Sequence, residues 1–259
     1  MRELIKKMLL ETGHYVKNQN KNRLTVIEKS SNDFVTNVDR EAASLLTRRI
    51  QEAYPDDTII CEDEPVIEKM NALENKAWLI DPLDGTKNYM HGYPYYGISI
   101  CCYDFKKKKY CASAIYIPFF DQLFEAYEEE RSTMNGEKLY VSNNVNISNC
   151  LILTGMSHKV DASNQKELEY FNRISQISAG TRRTGCAALD LCYVAAGFAD
   201  AYYHFNLKPW DVAAGSHIVS NAGGVATNIG SENFDFYNRT ILATNRSCHL
   251  EIQSELRKM

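Results

Sequence analysis

Two aspartates three residues apart, Asp81 and Asp84 in WLIDPLDGTKNYMH, follow an apolar run and precede a glycine and a threonine. Trp78, Leu79 and Ile80 read as a buried strand, Pro82 as its stop, and Gly85-Thr86 as the start of a helix. The two carboxylates therefore stand at a strand-to-helix corner. Facing one point, they can share one cation or hold two, and hard oxygen donors of this kind suit Mg²⁺ better than zinc. The N–H groups of Gly85 and Thr86, left over at the helix start, add an anion site. The same residues also allow a plainer reading, in which Asp81 caps a turn and Asp84 N-caps the helix.

Three further acidic positions lie where ligands could gather. Glu62 opens the cluster Glu62-Asp63-Glu64, directly after the short apolar run Ile59-Ile60-Cys61, and strand ends meet at one edge of a sheet. Asp211, in WDVAAG, begins a small-residue helix, and Asp39, in FVTNVD, stands at the opening of another. Singly, each is explained by solvation or helix capping.

The elements that must position these residues follow from periodicity. Helical spacing covers 2–18 and 37–53; apolar and β-branched runs follow at 58–61, 77–80, 95–104, 109–117 and 121–127. Lys106 to Lys109 read as a solvated hairpin tip, and Asn135-Gly136 as a second tight turn. The rest alternates: LILTG as a strand, 164–178 as a helix, ISAGTRR as a strand, 186–197 as a helix, ADAYYHF as a strand, and a helix from Trp210 to Asn221 ending at Gly223-Gly224. Such alternation implies layered α and β with mixed sheets. With 259 residues, 44% of them hydrophobic, the chain can bury a large core, read as a single domain over 1–259. Its metal-binding half would be about 1–142 and its second half about 150–259.

Acidic residues outnumber basic ones 33 to 29, so no polyanion-binding surface is implied; no nucleic acid is expected, and a small-molecule partner fits better. The N-terminal stretch MRELIKKMLLETGHYVKNQ mixes charge into its apolar positions and fits neither a signal peptide nor a membrane span. Eight cysteines without a C-x-x-C pair read as reduced, buried thiols of a cytoplasmic protein with no membrane association.

Taken in order, Val-Thr-x-x-Asp, a Glu after a strand, Asp-x-x-Asp-Gly-Thr and Trp-Asp before an Ala/Gly helix resemble the inositol monophosphatase family of Mg²⁺-dependent, lithium-sensitive sugar-phosphate phosphatases. The likeness runs from about Lys29 to Gly224, and TRRTGCAALDLCYVAAG resembles the bacterial members. WLIDPLDGTKNYMH follows the family pattern throughout; WDVAAGSHIVSNAGG departs at His217, where the family usually has an apolar residue. The resemblance implies an α/β (α+β) fold, the layered α/β/α/β/α sandwich, and a homodimer. It assigns Glu62, Asp81 and the Leu83 carbonyl to one Mg²⁺ and Asp81, Asp84 and Asp211 to a second, with a third, weaker ion on Glu62, so two to three Mg²⁺ per site. Gly85 and Thr86 would bind phosphate. Thr86, hydrogen-bonded to Asp39, would help Glu62 and the metal activate water. The chemistry explains the residue types: metal ions cancel the charge of a phosphomonoester dianion, one making its bound water more acidic and the other stabilising the leaving alkoxide.

The substrate is less sharply written. Inositol-preferring relatives usually carry a glutamate seven residues before the Trp-Asp aspartate; here that position is His204. His204 is either a packed histidine or a contact to a second phosphate or a nucleotide. Asp84, Gly185 and Ala187 complete the substrate wall by resemblance. Lys87, in D-G-T-K, is similar to relatives that hydrolyse 3'-phosphoadenosine 5'-phosphate. The leading reading is hydrolysis of inositol-1-phosphate or a related sugar phosphate. The alternatives are a 3'(2'),5'-bisphosphate nucleotidase, a fructose-1,6-bisphosphatase, or, from another class, a non-catalytic antitermination accessory protein with Arg182 and Arg183 as contacts.

Overall fold

The apolar run ending at Asp81 belongs to a sheet covered on both faces. In the computed structural model, which describes residues 1–19, 24–30, 33–62, 75–156 and 162–258, β1 (Val26–Ser30) and β2 (Asp33–Thr36) form a separate hairpin. A seven-stranded sheet then runs in spatial order through β3 (Thr58–Cys61), β4 (Lys76–Asp84), β5 (Gly97–Asp104), β6 (Lys109–Ile117), β7 (Gln122–Tyr127), β8 (Thr133–Met134) and β9 (Glu137–Lys138). β3 and β4 are parallel, and each later neighbour is antiparallel. On one face lie α1 (Arg2–Lys17) and α2 (Asn37–Ala53). The short α3 (Thr86–His91) follows the Asp81–Asp84 corner.

The second sheet has the order β11 (Gly180–Arg182), β10 (Leu151–Thr154), β12 (Ala201–His204), β14 (Ile241–Thr244), β13 (Val225–Thr227). Between the two sheets lie α5 (Ala187–Ala195) and α6 (Pro209–Asn221); α4 (Ala162–Ile177) and α7 (His249–Arg257) cover the outer face. The result is the five-layer α/β/α/β/α sandwich. Strand parity explains why β4 is apolar throughout: Trp78 and Ile80 pack with Leu9 and Leu46 of the outer helices, while Ala77 and Leu79 pack with Leu189 and Ala213 of the middle layer. A strand buried on both faces reads as a continuous apolar run. Each fully buried large side chain here is worth about 1.5–3 kcal/mol.

Pro82 does not stop β4, as the sequence suggested. The strand continues to Asp84 through a β-bulge: Asp81 pairs with Ser99 and Asp84 with Gly97, so Pro82 and Leu83 together oppose Ile98. Proline, lacking an N–H, is tolerated where the ladder is interrupted. Ser99 and Gly97 are two apart and share a face, so Asp81 and Asp84 share one too, the face toward the middle helices. The ISAGTRR strand is shorter than expected, at Gly180–Arg182, and the β1–β2 hairpin, β13, β14 and α7 are elements the periodicity did not single out. All eight cysteines are free thiols, seven of them buried.

His217, the departure within α6, is built into the middle layer. It stacks on Tyr110 with ring centroids 4.4 Å apart. Its Nε2–H donates to the Glu128 carbonyl at 2.8 Å, so Nδ1 accepts from Ser113 Oγ at 2.9 Å. Burial pushes the imidazole from its ordinary 6.5 down to about 4. A depressed histidine makes the folded state bind fewer protons than the unfolded one, so its contribution is present above pH 6.5 and lost as pH falls toward 4. The full loss is about 3 kcal/mol. Urea unfolding at pH 7 and pH 4.5 is expected to show a larger drop in the wild type than in His217→Met. Equal drops would place the acid sensitivity elsewhere.

Candidate active site

The site is assembled where strand ends meet helix starts. Because β3 is parallel to β4 and Cys61 is level with Ile80, Glu62 comes alongside Asp81; its amide continues the ladder to the Ile80 carbonyl at 3.0 Å. The Glu62 and Asp81 carboxyls lie within hydrogen-bonding reach of each other. Glu62 also accepts from Lys29 Nζ at 3.0 Å, a contact the sequence did not announce. Asp63 and Glu64 lie outside the described residues.

Asp81 is 2% exposed, and its Oδ1 accepts the Leu83 amide at 3.0 Å. Burial, then the charges of Glu62, Asp84 and Asp211, push its carboxyl well above the usual carboxylate range. Asp211 is raised for the same reasons, burial first and then Glu62 and Asp84, although Lys208 N donates to its Oδ2 at 2.7 Å. Asp84 is raised by burial, against hydrogen bonds from Ala188 N at 2.6 Å and the Cys186 thiol at 3.3 Å. Among the described residues no lysine or arginine forms an ion pair with Asp81, Asp84 or Asp211.

Asp39 and Thr86 form the adjoining wall. Thr36 N-caps α2, and Asp39 Oδ2 returns to its amide at 2.9 Å, a reciprocal cap. That leaves Asp39 Oδ1 to accept the Thr86 hydroxyl at 2.8 Å, with the Leu83 carbonyl an alternative acceptor 3.0 Å away. The capping role and a role in the site are thus compatible, one oxygen for each. Gly85 holds φ +86 at the N-terminus of α3, and Thr86 follows it.

The second half of the chain supplies Asp211, Gly185, Ala187 and Ala188. His204 is reached indirectly: its Nδ1 meets the Tyr202 hydroxyl at 2.8 Å, and the buried Tyr202 lies in the field of Asp190, Asp84 and Asp211. The His204 ring lies against the Gly155 backbone. Lys87 Nζ stands 5.7 Å over the Phe34 ring. Three residues not anticipated are Asn88, Cys186 and Thr184, which tie α3 and Asp84 to the start of α5; only the small-residue run around them hinted at a close approach.

The donor set is all oxygen and mutually repelling; Glu62 pairs with Lys29 and the charge of Lys208 acts on Asp211, but Asp81 and Asp84 have no ion pair among the described residues, which fits a hard divalent ion. The side chains are not drawn into a closed cage: among the described residues no three His, Cys, Asp or Glu groups stand at metal-ligand spacing. The mutual electrostatic effects show a looser gathering around Asp81.

The profile of the inositol monophosphatase family matches residues 1–258. The chain belongs to the inositol monophosphatase family. It is 38% identical over 217 residues to a putative Nus factor SuhB of Neisseria meningitidis serogroup B, covering 84% of this chain and 82% of that protein. A solved structure of the extragenic suppressor protein SuhB from Bartonella henselae superposes with a TM-score of 0.92 at 30% identity, over 99% of this chain and 98% of that one. An IMPase of Thermotoga maritima superposes with a TM-score of 0.88 at 28% identity, over 100% of this chain and 98% of that one. The inositol monophosphatases are a phosphatase family and generally metal-dependent. No helix among the described residues is long and apolar enough to cross a membrane.

Proposed function

We propose that this inositol monophosphatase homologue hydrolyses a small phosphomonoester, inositol-1-phosphate or a related sugar phosphate, with Mg²⁺ and water. The observation that carries the reading is the gathering of Glu62, Asp81, Asp84 and Asp211 beside Gly85-Thr86, with no ion pair to any of the three aspartates among the described residues. Glu62, Asp81 and the Leu83 carbonyl would hold one Mg²⁺ and Asp81, Asp84 and Asp211 another, with a third on Glu62. Bound there, the ions supply the positive charge that lets water approach a phosphate dianion. Gly85 and Thr86 would receive the phosphate oxygens. The Thr86 hydroxyl, anchored on Asp39 Oδ1, would orient the water, and the Glu62 carboxylate would take its proton. Gly185, Ala187, His204 and Asp84 would face the rest of the substrate.

His204 keeps a second substrate class in view, because an imidazole replaces a carboxylate that grips hydroxyls. The expected result is therefore broad turnover, with kcat/KM for inositol-1-phosphate within about 10-fold of that for 3'-phosphoadenosine 5'-phosphate or fructose-1,6-bisphosphate. Phosphate release from this panel, with Mg²⁺, without it and with added lithium, tests the reading. Mg²⁺-dependent, lithium-inhibited release supports it. Release only from the bisphosphates would favour the nucleotidase or bisphosphatase alternative. The relatives named Nus factor favour one non-enzymatic alternative, an antitermination accessory protein, and no release from any compound would point there. A small-molecule substrate and a homodimer complete the reading.

A further inference from the structure

Asp190 is a buried acid with no part in the site as described so far. It lies in the first turn of α5, 2% exposed, and among the described residues no lysine or arginine forms an ion pair with it. Burial pushes its carboxyl well above the usual carboxylate range, against the Thr184 hydrogen bond and with the charge of Asp84 adding to the rise. A carboxyl kept in such a place must be retained for what it touches.

What it touches leads to the site in two directions. Asp190 Oδ1 accepts the Thr184 hydroxyl at 2.7 Å, and the same hydroxyl oxygen accepts the Cys186 amide at 3.2 Å. One direction continues through the Thr184 carbonyl, which accepts Asn88 Nδ2 at 2.9 Å; Asn88 lies in α3 and also reaches the Tyr95 carbonyl at 2.6 Å. The other continues along the loop to the Cys186 thiol and the Ala188 amide, both on Asp84 Oδ2. The chain thus joins α5, in the second half of the sequence, to both the helix and the carboxylate of the Asp81–Asp84 corner.

We propose that Asp190 is a positioning residue: by fixing Thr184 it sets the loop from Thr184 to Ala188 so that the Cys186 thiol and Ala188 amide hold Asp84 in one orientation for Mg²⁺. The metal in this statement rests on the phosphatase reading above; the hydrogen-bond chain does not.

The test uses the full chain, with Mg²⁺ affinity by calorimetry, phosphate release from inositol-1-phosphate, and thermal unfolding in chelator. Asp190→Asn keeps an acceptor oxygen for the Thr184 hydroxyl, and its Mg²⁺ Kd and kcat are expected within about twofold of the wild type. Asp190→Leu and Thr184→Val remove the hydrogen bond and are expected to weaken Mg²⁺ binding about 10- to 100-fold, the usual cost of losing a group that orients a metal ligand. Thr184→Ser restores it. The double variant Asp190→Leu/Thr184→Val should be no worse than the weaker single, because both cut one link. If Asp190→Leu does not fold, the Thr184 pair decides.

The proposal is overturned if Asp190→Asn is as damaging as Asp190→Leu, or if Asp190→Leu and Thr184→Val lower the melting temperature and leave Mg²⁺ affinity unchanged. A wild type that binds no Mg²⁺ also overturns it. A wild type that binds Mg²⁺ but hydrolyses no phosphomonoester removes the phosphatase reading alone, and the affinity series still decides the role of Asp190.

Discussion

Asp81→Asn is expected to lower Mg²⁺-dependent phosphate release by a factor on the order of 10³ or more while leaving the protein folded. The loss follows from the position: Asp81 is buried among three acidic neighbours, and the proposed site shares it between two ions. The tolerance follows from shape. Asparagine keeps an Oδ1 to accept the Leu83 amide and removes one member of a crowded acidic group, so the melting temperature in chelator should equal or exceed that of the wild type. Phosphate release and thermal unfolding, measured side by side, check both halves. Retention of a tenth or more of the activity would remove Asp81 from the metal site; a collapse in melting temperature would show instead that its charge supports the fold.

Gly85→Ala should damage both fold and activity. With φ +86 at Gly85, an alanine there carries the left-handed penalty of about 1–2 kcal/mol. Its Cβ would also lie 2.8 Å from the Tyr95 carbonyl oxygen and 3.3 Å from Tyr96 Cα, backbone atoms that cannot turn aside. Together these suggest about 3 kcal/mol, or roughly 6–12 °C in a chain of this size. Relief comes only by moving the corner that carries Asp84 and Thr86, and displacement of that order costs about 10²-fold in rate. Gly136→Ala is the control: φ is +87 there and a Cβ meets nothing within 4 Å, so only the smaller conformational cost should appear. Equal melting shifts for the two variants would show that the contact with Tyr95 is not what makes Gly85 necessary.

The carboxylates of the proposed site could be picked out in the sequence because each stands at a local boundary, a strand running into acid at Glu62, a strand-to-helix corner at Asp81 and Asp84, a Trp-Asp helix start at Asp211, although singly Glu62 and Asp211 read as solvated or capping residues and only the resemblance joined them. Layered α and β were legible in the alternation of helical and strand-like runs, while the five-layer order came from the family resemblance; runs such as Ala77 to Ile80, apolar at both parities, fit burial on two faces. What was not legible depends on distant partners. Strands of three or four residues, such as β13 and β14, carry too few positions for periodicity to register. The Lys29–Glu62 pair spans 33 residues and the Asn88–Thr184 bond 96, and no local pattern encodes either. Asp190 sits in an alanine-rich helix turn where an acid reads as a routine first-turn residue, and only its burial sets it apart. His217 was marked by sequence as a departure, but the Tyr110 ring and the Glu128 carbonyl that accommodate it come from other elements.

The bulge at Pro82 and Leu83 makes the acidic corner a matter of counting. In an unbroken strand, residues an odd number apart point opposite ways, and a spacing of three would send one aspartate to the middle helices and the other to the outer pair. The additional residue changes odd to even. A β4 that kept all its residues but lost the bulge would turn Asp84 away from Asp211 toward the packing of α1 and α2, whereas deleting Pro82 leaves a spacing of two and keeps both aspartates on the middle-helix face. The site therefore rests on parity rather than composition: the residue that separates the aspartates by three is harmless only because the bulge absorbs it.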